Sequence, residues 1–154
     1  MIKGLIDLIK TGKYPIKQGF TFMAKLPEGS DRNHYCIIIN KKVTKHTTIF
    51  YFFMTSQGEK VKLRMRNDKK AFVSLNSTDY KPLTKPTFIQ CDKGHIFSLD
   101  YSTLINGLES GNYTKEENVD SSIITKILSA VNLSKTYTFE EKKNFPDNYD
   151  PWDE

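Results

Sequence analysis

Thr47-Thr48-Ile49-Phe50-Tyr51-Phe52-Phe53-Met54 is β-branched and aromatic from end to end and runs straight into Thr55-Ser56. A strand that is apolar at both alternating sets of positions is buried on both faces, so this segment reads as the central strand of a sheet. The preceding run, His34-Tyr35-Cys36-Ile37-Ile38-Ile39-Asn40, is nearly as apolar and is joined to it by the polar turn 41–46. The two form the expected core pair.

Working outward, Phe20, Phe22 and Ala24 alternate with Thr21, Met23 and Lys25 after Gly19, and Pro27 to Asp31 ends that strand. Val61, Leu63 and Met65 alternate with Lys60, Lys62, Arg64 and Arg66, which predicts a strand with one buried face and four cations on the other. Ala71 to Leu75, Thr87 to Cys91 and His95 to Leu99 complete the set, with Asp92-Lys93-Gly94 as the turn between the last two. Seven candidates linked mostly by tight turns predict a closed or nearly closed small barrel rather than a parallel sheet.

Helices flank these strands. Ile2, Leu5, Ile6 and Ile9 fall at i, i+3, i+4 and i+7, giving residues 1–16 an amphipathic helix that docks on the barrel. Asp100 or Ser102 caps a short helix through Leu108. Asp120 or Ser121 caps a second, with Ile123, Ile124, Ile127, Leu128 and Val131 on one face. Residues 17–139 are thus read as the barrel with its C-terminal helix. Residues 140–154, aperiodic and holding two prolines, are read as a flexible acidic tail.

Size and composition bound the function. A chain of 154 residues, 38% hydrophobic and 12% aromatic, suits one packed domain. Mean hydropathy is −0.52, and no apolar run approaches the roughly 20 residues of a membrane span. The charged N-terminal helix does not read as a signal peptide, so a cytoplasmic protein without a membrane role is expected. Cys36 and Cys91 lie in apolar runs with no Cys or His at ligand spacing, which predicts buried free thiols, no metal site and no cofactor.

Charge is unevenly spread. Residues 140–154 hold six acids and two bases, leaving 21 bases and 12 acids in residues 1–139. A body of net +9 attracts polyanions, nucleic acid foremost, as readily as it presents a merely solvated lysine-rich surface.

The polar residues at strand ends carry the candidate chemistry. His34 opens a strand, and histidine exchanges protons near physiological pH, although a strand-start histidine is also an ordinary structural donor. Thr55 and Ser56 offer hydroxyl donors to a phosphate, or simple turn chemistry. Asp92, Lys93 and His95 offer a second proton carrier and a cation. Lys60, Lys62, Arg64 and Arg66, spaced about 6.6 to 7 Å along a strand face, would match successive phosphates of a single strand. Tyr35, Tyr51 and Tyr80 would stack bases if exposed and otherwise belong to the core.

Taken in order, Gly19, the basic loop into His34, the strand ending in Thr55-Ser56, Gln90-Cys91-Asp92 turning into His95-Ile96-Phe97-Ser98-Leu99-Asp100, and the terminal helix resemble the MazF/PemK-like toxins over residues 17–132. The resemblance implies an SH3-like barrel and a homodimer that cleaves single-stranded RNA without a metal, leaving a 2′,3′-cyclic phosphate. That chemistry needs a base, an acid and groups that hold charge on phosphorus. Carried over, the family's arginine before the second strand is Arg32, and its hydroxyl residue ending the third is Thr55 or Ser56. The family's Arg-Pro is Arg32-Asn33 here, leaving the cation's part to Arg32 or to His34, and Phe20 stands where the family often has an acid after Gly19. His34 or His95 is the candidate proton carrier, and Lys93 joins the cationic stripe in binding RNA.

The resemblance also implies an antitoxin partner. Antitoxins of this family block the RNA groove with acidic, aromatic-bearing segments, and Phe145 to Glu154 is similar to such a segment attached in cis. Two readings of other kinds stand beside the ribonuclease: a non-catalytic barrel that binds nucleic acid through the Lys60 to Arg66 stripe, and a protein-interaction module.

Overall fold

The computed structural model describes residues 2–151, with the side chains of Ile2 and Lys3 outside that description. Its centre is an antiparallel sheet with helices on both faces. The strands are β1 (Thr21–Ala24), β2 (His34–Ile38), β3 (Ile49–Thr55), β4 (Phe72–Leu75), β5 (Thr87–Gln90), β6 (Phe97–Leu99) and β7 (Thr114–Glu116). The helices are α1 (Ile2–Lys10), α2 (Gly58–Arg64), α3 (Tyr101–Ser110), α4 (Ser121–Leu133) and α5 (Phe139–Asn144).

The strands run in the order β4-β5-β3-β2-β1-β7, with β6 also paired to β3. No pairing joins β4 to β7 among the described residues, so the sheet is open: of the closed or nearly closed barrel expected, the closed form is not made. Both faces are covered instead, which removes the need for closure. Ile37, Phe50, Phe52, Met54 and Ile89 face α4 through Ile123, Ile127 and Val131. On the opposite face Cys36, Ile38, Ile49 and Tyr51 meet Ile6 and Ile9 of α1 and Leu104, Ile105 and Leu108 of α3. The docked N-terminal helix and the doubly buried β3 are therefore as the sequence implied, and both cysteines are buried free thiols. Burial raises both thiols above their ordinary pKa.

One side of β3 serves two short strands. Met54 and Thr55 face Ile89 and Phe88 of β5, while Ile49, Phe50 and Tyr51 face Leu99, Ser98 and Phe97 of β6. β5 and β6 thus follow one another along the same lane rather than forming a hairpin. Asp92 to Ile96 leaves the lane between them and includes a single 3₁₀ turn, Lys93–His95.

Three sequence expectations need correction. The predicted cationic strand 60–66 is mostly α2, because Val61 and Met65, one helical turn apart, are both buried against Ala71 with Phe72 and Phe88 alongside. Leu63, placed in the core by the alternation, is 66% exposed. The helix also needs the glycine at its start, since a Cβ on Gly58 would lie 2.5 Å from the Phe88 ring. Next, the polar loop after α3 contains an edge strand, β7, paired with β1. Its polarity is tolerated because Lys115 Nζ lies over the Phe20 ring, 4.5 Å from its centroid, and donates to the Thr21 carbonyl and to Asn118 Oδ1.

The third correction concerns the tail. Thr138 and Glu141 form a reciprocal capping box, with N–H···O distances of 2.8 and 3.1 Å, that starts α5. Beyond it Tyr149 is only 5% exposed and packs its ring 5.2 Å from Phe50 and 5.2 Å from Phe145. Asp147 accepts from the Lys41 backbone N–H at 3.0 Å. Residues 139–149 are thus part of the fold, and Trp152, Asp153 and Glu154 lie outside the described residues. The caps of α3 and α4 are as read: Asp100 accepts from Thr103 N–H, and Asp120 from Ser122 and Ile123 N–H.

Two substitutions check these corrections by urea unfolding. Tyr149→Ala is expected to cost about 3 kcal/mol, the scale for emptying a buried aromatic site, where a free tail would show no change. Leu63→Lys is expected to stay within about 0.5 kcal/mol, since a surface position on a helix is substituted.

Candidate functional site

The N-terminal end of β2 and the C-terminal end of β3 meet at one edge of the core. Their register places Cys36 opposite Phe53 and Ile38 opposite Tyr51. Continued by two residues, it sets His34 opposite Thr55 on one face and Tyr35 opposite Met54 on the other. Where the doubly buried segment stops, its polar neighbours line a cavity of about 390 Å³, with Arg32, Asn33 and His34 on one wall and Thr55, Ser56 and Gln57 on another. A third wall is the loop before β5, with Thr84, Lys85 and Thr87.

That loop is held in place from below. Tyr80 and Leu83 are buried, the Tyr80 hydroxyl donates to the Glu117 carbonyl at 2.5 Å, and Leu83 N–H donates to the Tyr80 carbonyl at 3.1 Å. Tyr35, also lining the cavity, packs edge-on against Tyr80 with ring centroids 5.5 Å apart. Burial, reinforced by the charge of Glu116, raises the Tyr35 phenol above its ordinary pKa and keeps it a donor.

The cavity's composition favours an anion. Arg32 and Lys85 supply two exposed cations, Thr55, Ser56 and Thr84 supply hydroxyls, and no Asp or Glu is among the lining residues. Thr55 Oγ1 accepts from Gln57 N–H at 3.3 Å, which leaves its own proton to donate elsewhere. His34 is held more firmly. Its Nδ1 lies 2.8 Å from the Leu26 carbonyl oxygen and its ring rests on Phe53 at a centroid distance of 4.8 Å. A carbonyl only accepts, so Nδ1 carries a proton and Nε2 is the atom left to take or release one.

Four of the expected catalytic residues, Arg32, His34, Thr55 and Ser56, therefore share one cavity. His95 does not line it: this histidine sits in the excursion between β5 and β6, with Nδ1 2.7 Å from Asp92 Oδ1. Lys93 is in the same excursion and pairs with Glu141 of α5 at 2.5 Å. The cationic stripe is dispersed. Lys60, Lys62 and Arg64 project at helical rather than strand spacing from α2, and Arg66 lines a separate cavity of about 700 Å³ with Lys69, Lys70 and Lys135. Of the tyrosines, Tyr51 and Tyr80 are buried, leaving Tyr35 half-buried at the cavity. None of residues 139–151 lines the cavity, so the described part of the tail packs elsewhere.

Lys85, Thr84 and Gln57 were not singled out from the sequence. Lys85 and Thr84 belong to the proline-bearing loop before β5, and nothing local signals that pairing of β5 beside β3 carries this loop to the His34 wall. Gln57 follows Thr55-Ser56 directly and was the one within reach of sequence reasoning.

No helix among the described residues is long and apolar enough to cross a membrane. Compared with known proteins, the chain matches no family model and no curated protein sequence.

Titrating inorganic phosphate into ¹⁵N-labelled protein is expected to move the amide signals of Thr55, Ser56 and Lys85 while leaving those of Lys93 and His95 in place. Arg32→Ala or Lys85→Ala is expected to weaken that binding several-fold, because each removes one of the two cations.

Proposed function

We propose that this protein is a metal-independent endoribonuclease that cleaves single-stranded RNA by attack of the ribose 2′-hydroxyl on the adjacent phosphorus. The observation that carries the reading is the gathering of Arg32, His34, Thr55 and Ser56, with Lys85, around one cavity free of carboxylates. Its volume of about 390 Å³ falls within the range of small-ligand sites. In the reaction a bond forms between O2′ and phosphorus as the bond from phosphorus to O5′ breaks. His34 Nε2 takes the 2′ proton, the leaving 5′-oxygen takes one from water, and the hydroxide so formed is neutralised by the proton that His34 gives back. Arg32 and Lys85 balance the charge on the phosphoryl oxygens, and the Thr55 and Ser56 hydroxyls donate to them.

The resemblance to MazF/PemK-like toxins supports the same assignment, and with it a homodimer, an antitoxin partner and a cytoplasmic setting. The open sheet and α2 depart from that family's closed barrel, so the support rests on the strand ends, where the matching residues lie. A second reading is non-catalytic binding of nucleic acid, favoured by the cavity that Arg66, Lys69, Lys70 and Lys135 share. It gives salt-sensitive binding without cyclic phosphate ends.

Incubating the protein with a defined RNA in EDTA is expected to yield 2′,3′-cyclic phosphate and 5′-hydroxyl ends. His34→Ala, Arg32→Ala and Thr55→Ala are each expected to lower cleavage by about 10² or more, with His95→Ala close to the native rate. Undiminished cleavage by the first three variants rejects the assignment.

A further inference from the structure

A second and larger cavity, about 1000 Å³, lies beside the first and shares Asn33 with it. Its floor is aromatic: Tyr51, Phe97 and Tyr113 line it. These rings continue a series that starts in the first cavity. His34 lies 4.8 Å from Phe53, Phe53 5.8 Å from Phe97, Phe97 6.0 Å from Tyr51, Tyr51 6.3 Å from Phe22 and Phe22 5.4 Å from Tyr113. Phe53, Phe97 and Tyr113 are only partly buried. An unbroken run of rings thus links the anion-friendly cavity to the second one.

The two cavities differ in charge. Two carboxylates, Glu28 and Asp100, line the second with one cation, Lys25, whereas the first has two cations and no carboxylate. Phosphate is disfavoured beside carboxylates, but the amino groups and ring N–H groups of a nucleobase donate to them, and its π-face stacks on Phe97 or Tyr113. The wall between the cavities is the β1–β2 loop. It includes Leu26, whose carbonyl accepts from His34 Nδ1, so one short segment bounds the second cavity and orients the histidine of the first.

We propose that the second cavity is a nucleobase subsite, which stacks a base of single-stranded RNA on Phe97 and Tyr113 while the neighbouring phosphate occupies the Arg32 and His34 cavity. The inference rests on the proposed RNA substrate but not on cleavage.

The test uses the intact protein and two uncleavable eight-unit probes of equal charge: 2′-O-methyl oligoadenylate, and an abasic sugar-phosphate chain. Fluorescence anisotropy is expected to show the adenylate binding at least about tenfold tighter than the abasic chain, the scale of one stacked base. Phe97→Leu, which keeps apolar volume but removes the ring, and Asn112→Trp, which adds bulk from an exposed lining position, are each expected to erase that difference and leave abasic binding unchanged. Equal affinity of the native protein for the two probes, no binding of either, or a preference that survives in both folded variants overturns the subsite. Base-dependent binding with no cleavage of ordinary RNA would instead reject the nuclease proposal and leave the subsite standing.

Discussion

Burial of β3 on both faces is the constraint from which the rest of the molecule follows. Phe50, Phe52 and Met54 point one way and Ile49, Tyr51 and Phe53 the other, so neither face of the strand tolerates water. A barrel would satisfy one face from its own interior. This chain satisfies both with other elements, α4 together with Tyr137 and Tyr149 on one side and α1 and α3 on the other, and an open sheet suffices. The backbone of β3 is treated in the same way. β2 takes one edge, and β5 and β6 divide the other, so the central strand is paired along both sides although its partners on one side are short.

The candidate site is a boundary effect of that burial. Apolar packing ends where β3 reaches Thr55 and β2 begins at His34, and the polar residues that terminate the two strands are brought together by the same register that aligns the core. Cross-strand neighbours on one face are among the closest contacts a sheet makes. His34 is further fixed by the Leu26 carbonyl and the Phe53 ring, which set its tautomer and orientation before any ligand arrives. The loop carrying Lys85 is anchored independently through Tyr80 and Leu83. The cavity is therefore walled by three segments, each held by a different part of the core.

What the sequence disclosed and what it hid divide along physical lines. Six of the seven strands, with the positions of His34 and Thr55 at the ends of β2 and β3, and the cap residues of α3 and α4 were legible, because each is written in a local pattern of apolar spacing or capping. Residues 60–66 were misread because two periods coexist there. Val61, Leu63 and Met65 fit alternation, while Val61 and Met65 alone fit a helical turn, and only contact with Ala71 and Phe88 decides between them. Edge strand β7 was missed because a strand needing little burial carries little apolar signal. In α5 the signal was present, Thr138 with Glu141 three residues later, but the acidic composition around it drew the reading towards disorder. Lys85 had no signal, since its place in the site is a long-range consequence of β5 pairing beside β3.

The excursion of Asp92 to Ile96 holds His95 apart from the cavity that His34 lines. Were β5 continued in its own register, Gln90 would fall opposite Phe53 and His95 opposite Thr48, at the end of β3 away from Thr55. The extra residues divert it to a pairing with Asp92, and Lys93 is drawn to Glu141. The Lys93 contact connects the β5–β6 lane to α5, and the Tyr137 hydroxyl reinforces it by donating to the Cys91 carbonyl at 2.8 Å. Lys93 is thus engaged in fastening the C-terminal helix, and His95 in a bond within its own turn. His34 differs in place rather than in bonding: both histidines use Nδ1 internally, at the Leu26 carbonyl and at Asp92 Oδ1, but only His34 lines the cavity at the ends of β2 and β3.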